Sequence, residues 1–282
     1  MRGNMAISIA DTAVVDPRAE IEDDAEIGPY CVVGPDVKIG RGTRLIAHVC
    51  VRGHTTIGAF NVLHPFCVIG GEPQDVSYQG TPTRVEVGDH NVIREGVTIN
   101  RATEKEDGVT RLGSHNFLMA NCHVAHDCKV GDRVTIANNT LLGGHVHVES
   151  HASLSGGIGV HHFVSIGGYS FVGGQSRIYH DVPPYMLADG NPSKVRCINA
   201  VGLKRNGVTR EGIDALHEAH RLIYRAKMSP EQAREILDSH GHLTTEVRHL
   251  LAFIRSQHEG KHGRARERLR ASGGRQPVEV TE

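Results

Sequence analysis

The segment Asn121-Cys122-His123-Val124-Ala125-His126-Asp127-Cys128 carries two imidazoles, a carboxylate and two thiols in one short run. Extended backbone sends successive side chains to opposite faces, so an inward Val124 turns His123 outward, and His126 falls beyond the strand centre, near a corner. His145 follows His126 by 19 residues. Imidazole is the side chain best suited to take and return a proton near neutral pH. With a backbone N–H at Gly144, beside His145, His126 would meet two needs of acyl transfer to a hydroxyl: a base for the nucleophile and a donor for the oxyanion of the tetrahedral intermediate. Two other readings stand beside this one. Most of the chain's 20 histidines must be ordinary polar or packing residues, and any single one is open to that account. Cys122, His123, His126 and Cys128 also look like a metal-ligand set, but alternate side chains of an extended run diverge and cannot all converge on one tetrahedral centre.

For His126 and His145 to act together, the chain must bring residues about 18 positions apart into register, and its hydrophobic pattern does so. Stepping by six from Ile9 meets Val15, Ile21, Ile27, Val33, Ile39, Leu45, Val51, Ile57, Leu63 and Ile69. The step resumes at Val87, Ile93 and Ile99, slips, and runs again from Leu112 through Leu118, Val124 and Val130 to Ile178. Helices need spacings of three and four, and simple strands need two. A period of six fits a chain that turns a corner every six residues, three short strands closing a triangular coil of roughly 18 residues. The expected fold is therefore a β-helix prism lined by small aliphatic residues, which agrees with 33 glycines, no tryptophan and only 4% aromatics. Glycine after the aliphatic position, as in Ile27-Gly28, Ile39-Gly40 and Ile57-Gly58, suggests corners with backbone angles that other residues resist.

Two stretches break the period, residues 70–86 and the charged residues 101–111, and read either as tolerated insertions or as loops that contact ligand. After Asp181-Val182-Pro183-Pro184 the pattern becomes helical, with Ser229-Pro230-Glu231-Gln232 combining an N-cap serine, an N1 proline and a capping-box glutamine. The expected division is a β-helix over residues 1–186, a helical domain over 187–258 and a disordered tail over 259–282. The 31 Lys+Arg nearly balance 32 Asp+Glu, which gives no support to nucleic-acid or membrane binding. No apolar run reaches the roughly 18 residues of a membrane span. The six cysteines form no Cys-x-x-Cys pair and read as reduced, buried side chains of a cytoplasmic protein.

The chain resembles the acyl-acyl-carrier-protein:UDP-N-acetylglucosamine O-acyltransferases of lipid A biosynthesis over about residues 9 to 255. The resemblance rests on Gly71-Glu72, Gln74-Asp75, Ile93-Arg94-Glu95, Asn121 through Cys128, Ala137-Asn138-Asn139, Gly144-His145-Val146, Asp181 through Tyr185, Gly190-Asn191 and Gly202-Leu203-Lys204-Arg205. It implies a left-handed parallel β-helix, although parallel crossovers are normally right-handed, followed by a C-terminal α-helical region. It also implies a homotrimer with active sites between prisms. In the roles it carries over, His126 is the general base, helped by Asp127, and Gly144 supplies the oxyanion N–H. Gln74, His123, His145, His161 and His162 fall at the pocket, and Asp75 recognises the acyl 3-hydroxyl. Asn199 and Arg205 face the uridine and phosphate side, and Gly174 leaves the groove open to a long acyl chain such as 3-hydroxytetradecanoyl.

Acyl carrier protein and UDP-N-acetylglucosamine are the implied partners, with no metal and no cofactor beyond the carrier's phosphopantetheine. Four positions depart from the family: Ser77 for lysine, His162 for glutamine, Val201 for glutamate and Asn206 for a second arginine. They leave open a related acceptor, such as the 3-amino sugar or another nucleotide-sugar. The glucosamine N-acyltransferases of the same pathway usually carry an extra N-terminal domain, whereas here the repeats begin by residue 9. A γ-type carbonic anhydrase, a prism that binds zinc through three histidines, is the alternative from another class. A CoA-dependent sugar acetyltransferase and a scaffold without chemistry complete the set.

Overall fold

The computed structural model describes residues 7–259; apart from Glu259, the tail expected to be disordered lies outside the described residues. Strands of mostly two residues follow one another every six positions, and every third strand joins the same sheet, giving sheets of 11, 9 and 8 strands. Pairing is parallel with an 18-residue offset: Glu26 and Ile27 lie against Arg44 and Leu45, and Thr135 and Ile136 against Ser153 and Leu154. In most two-residue strands the first residue faces out and the aliphatic second faces in, as Ile27, Leu45 and Leu63 do, and some longer strands end on the same inward position, as at Ile39 and Ile57. A smaller residue two positions earlier also points inward, as Ala25, Val37, Thr43 and Cys67 do. Where it is Asn, the side chains form a ladder between coils: Asn61 Oδ1 accepts from Asn91 N–H at 2.9 Å, and Asn91 Oδ1 from Asn116 N–H at 2.8 Å. The side-chain oxygens of Asn61 and Asn91 are thereby paired inside an aliphatic core.

Several expectations shift. Ile9 is 46% exposed, because no coil covers the first one. The excursions are shorter than the broken period implied. Strand Val68–Gly71 runs into the first and Arg84–Val87 leaves it, so only residues 72–83 depart from the coil; Val109–Leu112 likewise trims the second to 101–108. The period misses these extensions because alternate residues such as Val85 are buried as well. Four cysteines are buried, but Cys50 is half-buried and Cys197 exposed. The glycines after the aliphatic position also serve another purpose than the one expected. A Cβ on Gly28 would lie 1.8 Å from the Ile46 carbonyl oxygen, so close stacking of the next coil excludes a side chain there. The left-handed corners are instead occupied largely by non-glycine residues, among them Tyr30, His48, Phe60, His90, His115, Asp127, His145 and Phe163. Their rings stack from coil to coil, as His48 does on Tyr30 at 5.0 Å and on Phe66 at 5.2 Å, contact that offsets the cost of a positive φ.

The sheet continues past residue 186. Met186–Asp189 pairs in parallel with Phe171–Val172 and then antiparallel with Lys194–Ile198, so the helical region begins at α1 (Ala200–Arg205), not at 187. It continues through α2 (Arg210–His220), α3 (Pro230–Ser239) and α4 (Thr245–His258). The Ser229–Gln232 capping box forms as the sequence predicts. A separate core of Leu203, Leu216, Leu237, Leu250 and neighbours holds the helices together. Tyr185 Oη meets His249 Nδ1 at 2.8 Å, and His249 Nε2 meets Glu149 at 3.2 Å, tying α4 to the prism. Among the described residues no helix is long and apolar enough to cross a membrane.

Candidate active site

Strand His123–Val124 buries Val124 and turns His123 outward. The chain then rounds a corner at His126 and Asp127. The 18-residue pitch sets Gly144 beside His126, and His145 beside Asp127. Gly144 must lack a side chain: a Cβ there would fall 2.5 Å from His126 Cε1 and 2.7 Å from Nε2. Gly143 and His145 donate their N–H groups to the Val160 and His126 carbonyls. The Gly144 N–H is, among the described residues, not drawn into the backbone ladder.

His126 Nδ1 lies 2.8 Å from Asp127 Oδ2. Asp127 is fully buried and accepts three further hydrogen bonds, from Thr103 N–H at 3.2 and 3.1 Å and Thr103 Oγ1 at 2.7 Å. Burial opposes its charge, but the bonds from His126 and Thr103 and the proximity of His145 outweigh that opposition and hold the carboxyl below its usual range. A carboxylate fixed on Nδ1 orients the imidazole and leaves Nε2 for chemistry. The rings of His126 and His145 meet edge to face at 5.2 Å, and His145 stacks flat on Phe163 at 4.4 Å.

Beside this corner runs a groove lined by Gln74, His123, His126, Gly144 and His161, and farther along by Arg177 and Tyr179. His123 is held by Thr98 Oγ1 at 2.7 Å from Nδ1, and its proton affinity falls through burial and then through the nearby His126. Asp75, from the first excursion, reaches within 4.0 Å of His126 Nε2. Its carboxyl loses solvent on burial, yet Lys105 and the Ser77 N–H and Oγ keep it strongly acidic. Thus Ser77 bonds Asp75 directly, and a cation arrives from Lys105 of the second excursion.

The remaining expected residues lie elsewhere or serve locally. The His162 ring leans on that of His161 at 3.8 Å. Gly174 stands at a corner facing Gly156 rather than in the groove lining. Asn199 caps α1, accepting from Gly202 N–H and donating to the Tyr169 carbonyl, and neither Asn199 nor Arg205 lines this groove. Asn206 closes the same helix and meets His151 Nδ1 at 3.0 Å, while Val201 is exposed.

Sequence reasoning assigned no role to Thr98, Thr103, Lys105, Glu106, Arg177 or Tyr179; the only signal for Thr103, Lys105 and Glu106 was the charge of their excursion. The ligand set considered for a metal does not assemble. Cys122 and Cys128 sit inside the prism facing carbonyls, with thiols pushed by burial up to about 11 and about 12. His126, Asp127 and His145 do converge, their polar atoms within 4.8 Å of one another, and the Asp127 carboxylate there is taken up by Thr103 and His126.

Repeat prism, paired imidazole and carboxylate, and free N–H beside an open groove together define a hexapeptide-repeat acyltransferase. The bacterial transferase hexapeptide family matches residues 18–53 and 110–144, and the domain 2 family of UDP-N-acetylglucosamine O-acyltransferase matches residues 181–263. The acyl-[acyl-carrier-protein]–UDP-N-acetylglucosamine O-acyltransferase of Thermodesulfovibrio yellowstonii is 45% identical over 252 residues, 89% of this chain and 98% of that protein. The chain belongs to this acyltransferase family, and its prism is a left-handed parallel β-helix. The enzyme of the same description from Syntrophobacter fumaroxidans is 44% identical over 90% of this chain and 99% of its own. Among solved structures, UDP-N-acetylglucosamine O-acyltransferase from Moraxella catarrhalis superposes with a TM-score of 0.85 at 42% identity, covering 90% of this chain and 98% of that one. The acyltransferase from Bacteroides fragilis gives 0.86 at 34%, with the same coverage.

Proposed function

We propose that the chain transfers a 3-hydroxyacyl group from acyl carrier protein to the 3-hydroxyl of UDP-N-acetylglucosamine, the opening step of lipid A biosynthesis, with His126 as general base. The observation that carries the reading is the His126 Nδ1 contact with buried Asp127 at 2.8 Å, which points Nε2 toward the groove. In this mechanism the sugar oxygen attacks the thioester carbonyl as its proton passes to His126 Nε2. The Gly144 N–H receives the oxyanion. Collapse expels the phosphopantetheine thiolate, which takes the proton back from His126, and an ester is left on the sugar. Asp75 binds the acyl 3-hydroxyl, and His123, His145, His161, His162 and Gln74 shape the pocket. Gly174 bears on acyl length, as the resemblance implies.

Asn199 and Arg205, turned away from their own groove, serve the nucleotide of a neighbouring prism in a homotrimer. The reaction is cytoplasmic and needs no metal and no cofactor other than the carrier's arm. Ser77 and Asn206, which bond within their own subunit, favour a looser hold on the nucleotide-sugar. Mass spectrometry of products from purified protein, UDP-N-acetylglucosamine and 3-hydroxyacyl carrier proteins of several lengths tests the reading. An ester product identifies donor length and acceptor together. Transfer only to an amino-sugar nucleotide moves the acceptor to the 3-amino analogue, and no transfer to any nucleotide-sugar rejects the proposal.

A further inference from the structure

The second excursion is the least regular part of the prism and the most heavily engaged with the site. Four of its consecutive residues each meet a different partner. Thr103 bonds Asp127, Glu104 accepts from Thr81 Oγ1 at 3.2 Å, Lys105 pairs with Asp75, and Glu106 Oε1 lies 3.2 Å from His145 Nδ1. At its root, Arg101 reaches the Gly70 carbonyl and Glu72, and Asn100 reaches the Glu72 carbonyl, so the two excursions hold each other.

The contact of Glu106 with His145 has a chemical consequence. His145 is 3% exposed. One nitrogen faces Glu106 and the other faces Asp127 Oδ2 at 3.6 Å; the ring stacks on Phe163 and meets His126 edge-on. Titratable groups near the cluster include Asp75 with Lys105 and also His123 on the side of His126, and Asp107 with Lys129 and Arg111 next to Glu106 in the chain. Two carboxylates within 4 Å of its nitrogens favour the charged form of this imidazole, against the burial that disfavours it. Asp127 then faces a cation on each side whenever His126 is protonated. Its charge is then shared between the two rings.

We propose that Glu106 is a positioning residue for the transfer reaction: it keeps His145 as an imidazolium on Asp127 and thereby keeps His126 free to act as a base at lower pH. The inference rests on the acyl-transfer reading above. Glu106 touches no reacting atom in it and acts through His145.

The test is the pH profile of kcat/KM for wild type, Glu106→Gln and Glu106→Asp, with imidazole protonation followed by NMR in protein labelled with ¹⁵N-histidine. In Glu106→Gln, His145 loses one flanking carboxylate and becomes neutral. Asp127 then falls to His126 alone, and the acid limb moves up by about one pH unit. Turnover below that limb drops by about tenfold, while the plateau at high pH changes less. Glu106→Asp retains the charge and keeps the limb near that of wild type. The His145 signals show both nitrogens protonated at pH 7.5 in wild type and not in Glu106→Gln. A limb that stays in place with a uniform loss at every pH, or a His145 that is neutral in wild type, overturns the proposal, and thermal melting separates either result from misfolding. If wild type is active but the limb does not move, only the role of Glu106 falls. If wild type transfers nothing, the acyl-transfer reading falls and takes this role with it.

Discussion

Two edges of the same prism carry histidines at the same left-handed corner. On one, Phe60, His90 and His115 stack at 5.1 and 4.9 Å, all exposed, with rings nearly parallel. On the other, Asp127, His145 and Phe163 occupy the equivalent column, with His145 on Phe163 at 4.4 Å. Backbone angle and ring stacking are common to both. They differ in burial and in carboxylates, because Asp127 replaces a ring in the second column and the second excursion lays Thr103 and Glu106 against it. A repeating corner makes a histidine a surface packing residue; an interruption of the repeat makes it part of a proton network.

The sharpest way to break this comparison is to truncate one imidazole on each edge. His126→Ala should lower turnover by about 10²-fold or more. His90→Ala should leave turnover unchanged and cost at most about 1 kcal/mol of stability from lost stacking, and steady-state kinetics with thermal melting distinguishes the two. Equal losses would show that both edges are merely structural. Gly144→Ala forces a methyl into the His126 ring, and displacement of the base should cost about 10-fold to 10²-fold in kcat. A crystal structure of that variant should show a rotated imidazole. The smallest effect is on stability against pH. The lowered Asp127 carboxyl contributes stability that is present above its ordinary pKa of 3.8 and lost as pH falls through its lower folded value. Asp127→Asn should therefore be less stable at neutral pH but flatter than wild type below pH 4, measured by denaturant unfolding.

Much of this was legible in the chain. The period of six located the inward aliphatic of each strand from Ile27 to Ile178, because a two-residue strand exposes one side chain and buries the next, but not the second inward set, such as Val49, Val97 and Val134. That His126 and His145 share a corner followed from the coil length, and the structure places Gly144 and Asp127 there as well. The excursion residues were not legible. Thr103, Lys105 and Glu106 lie 20 or more residues before their partners or, for Asp75, 30 residues after, and an interrupted period carries no information on which way a loop folds back. The same limit misplaced the start of the helical region, since the hairpin of Met186–Asp189 and Lys194–Ile198 pairs without the six-residue step.

The sequence by itself determined the prism, its pitch and which residues share a corner, because those depend on spacing that repeats. Only the tertiary structure decided which charges surround His126. That depends on carboxylates and a lysine brought in by two excursions whose positions are fixed by contact with each other and with the corner they cover.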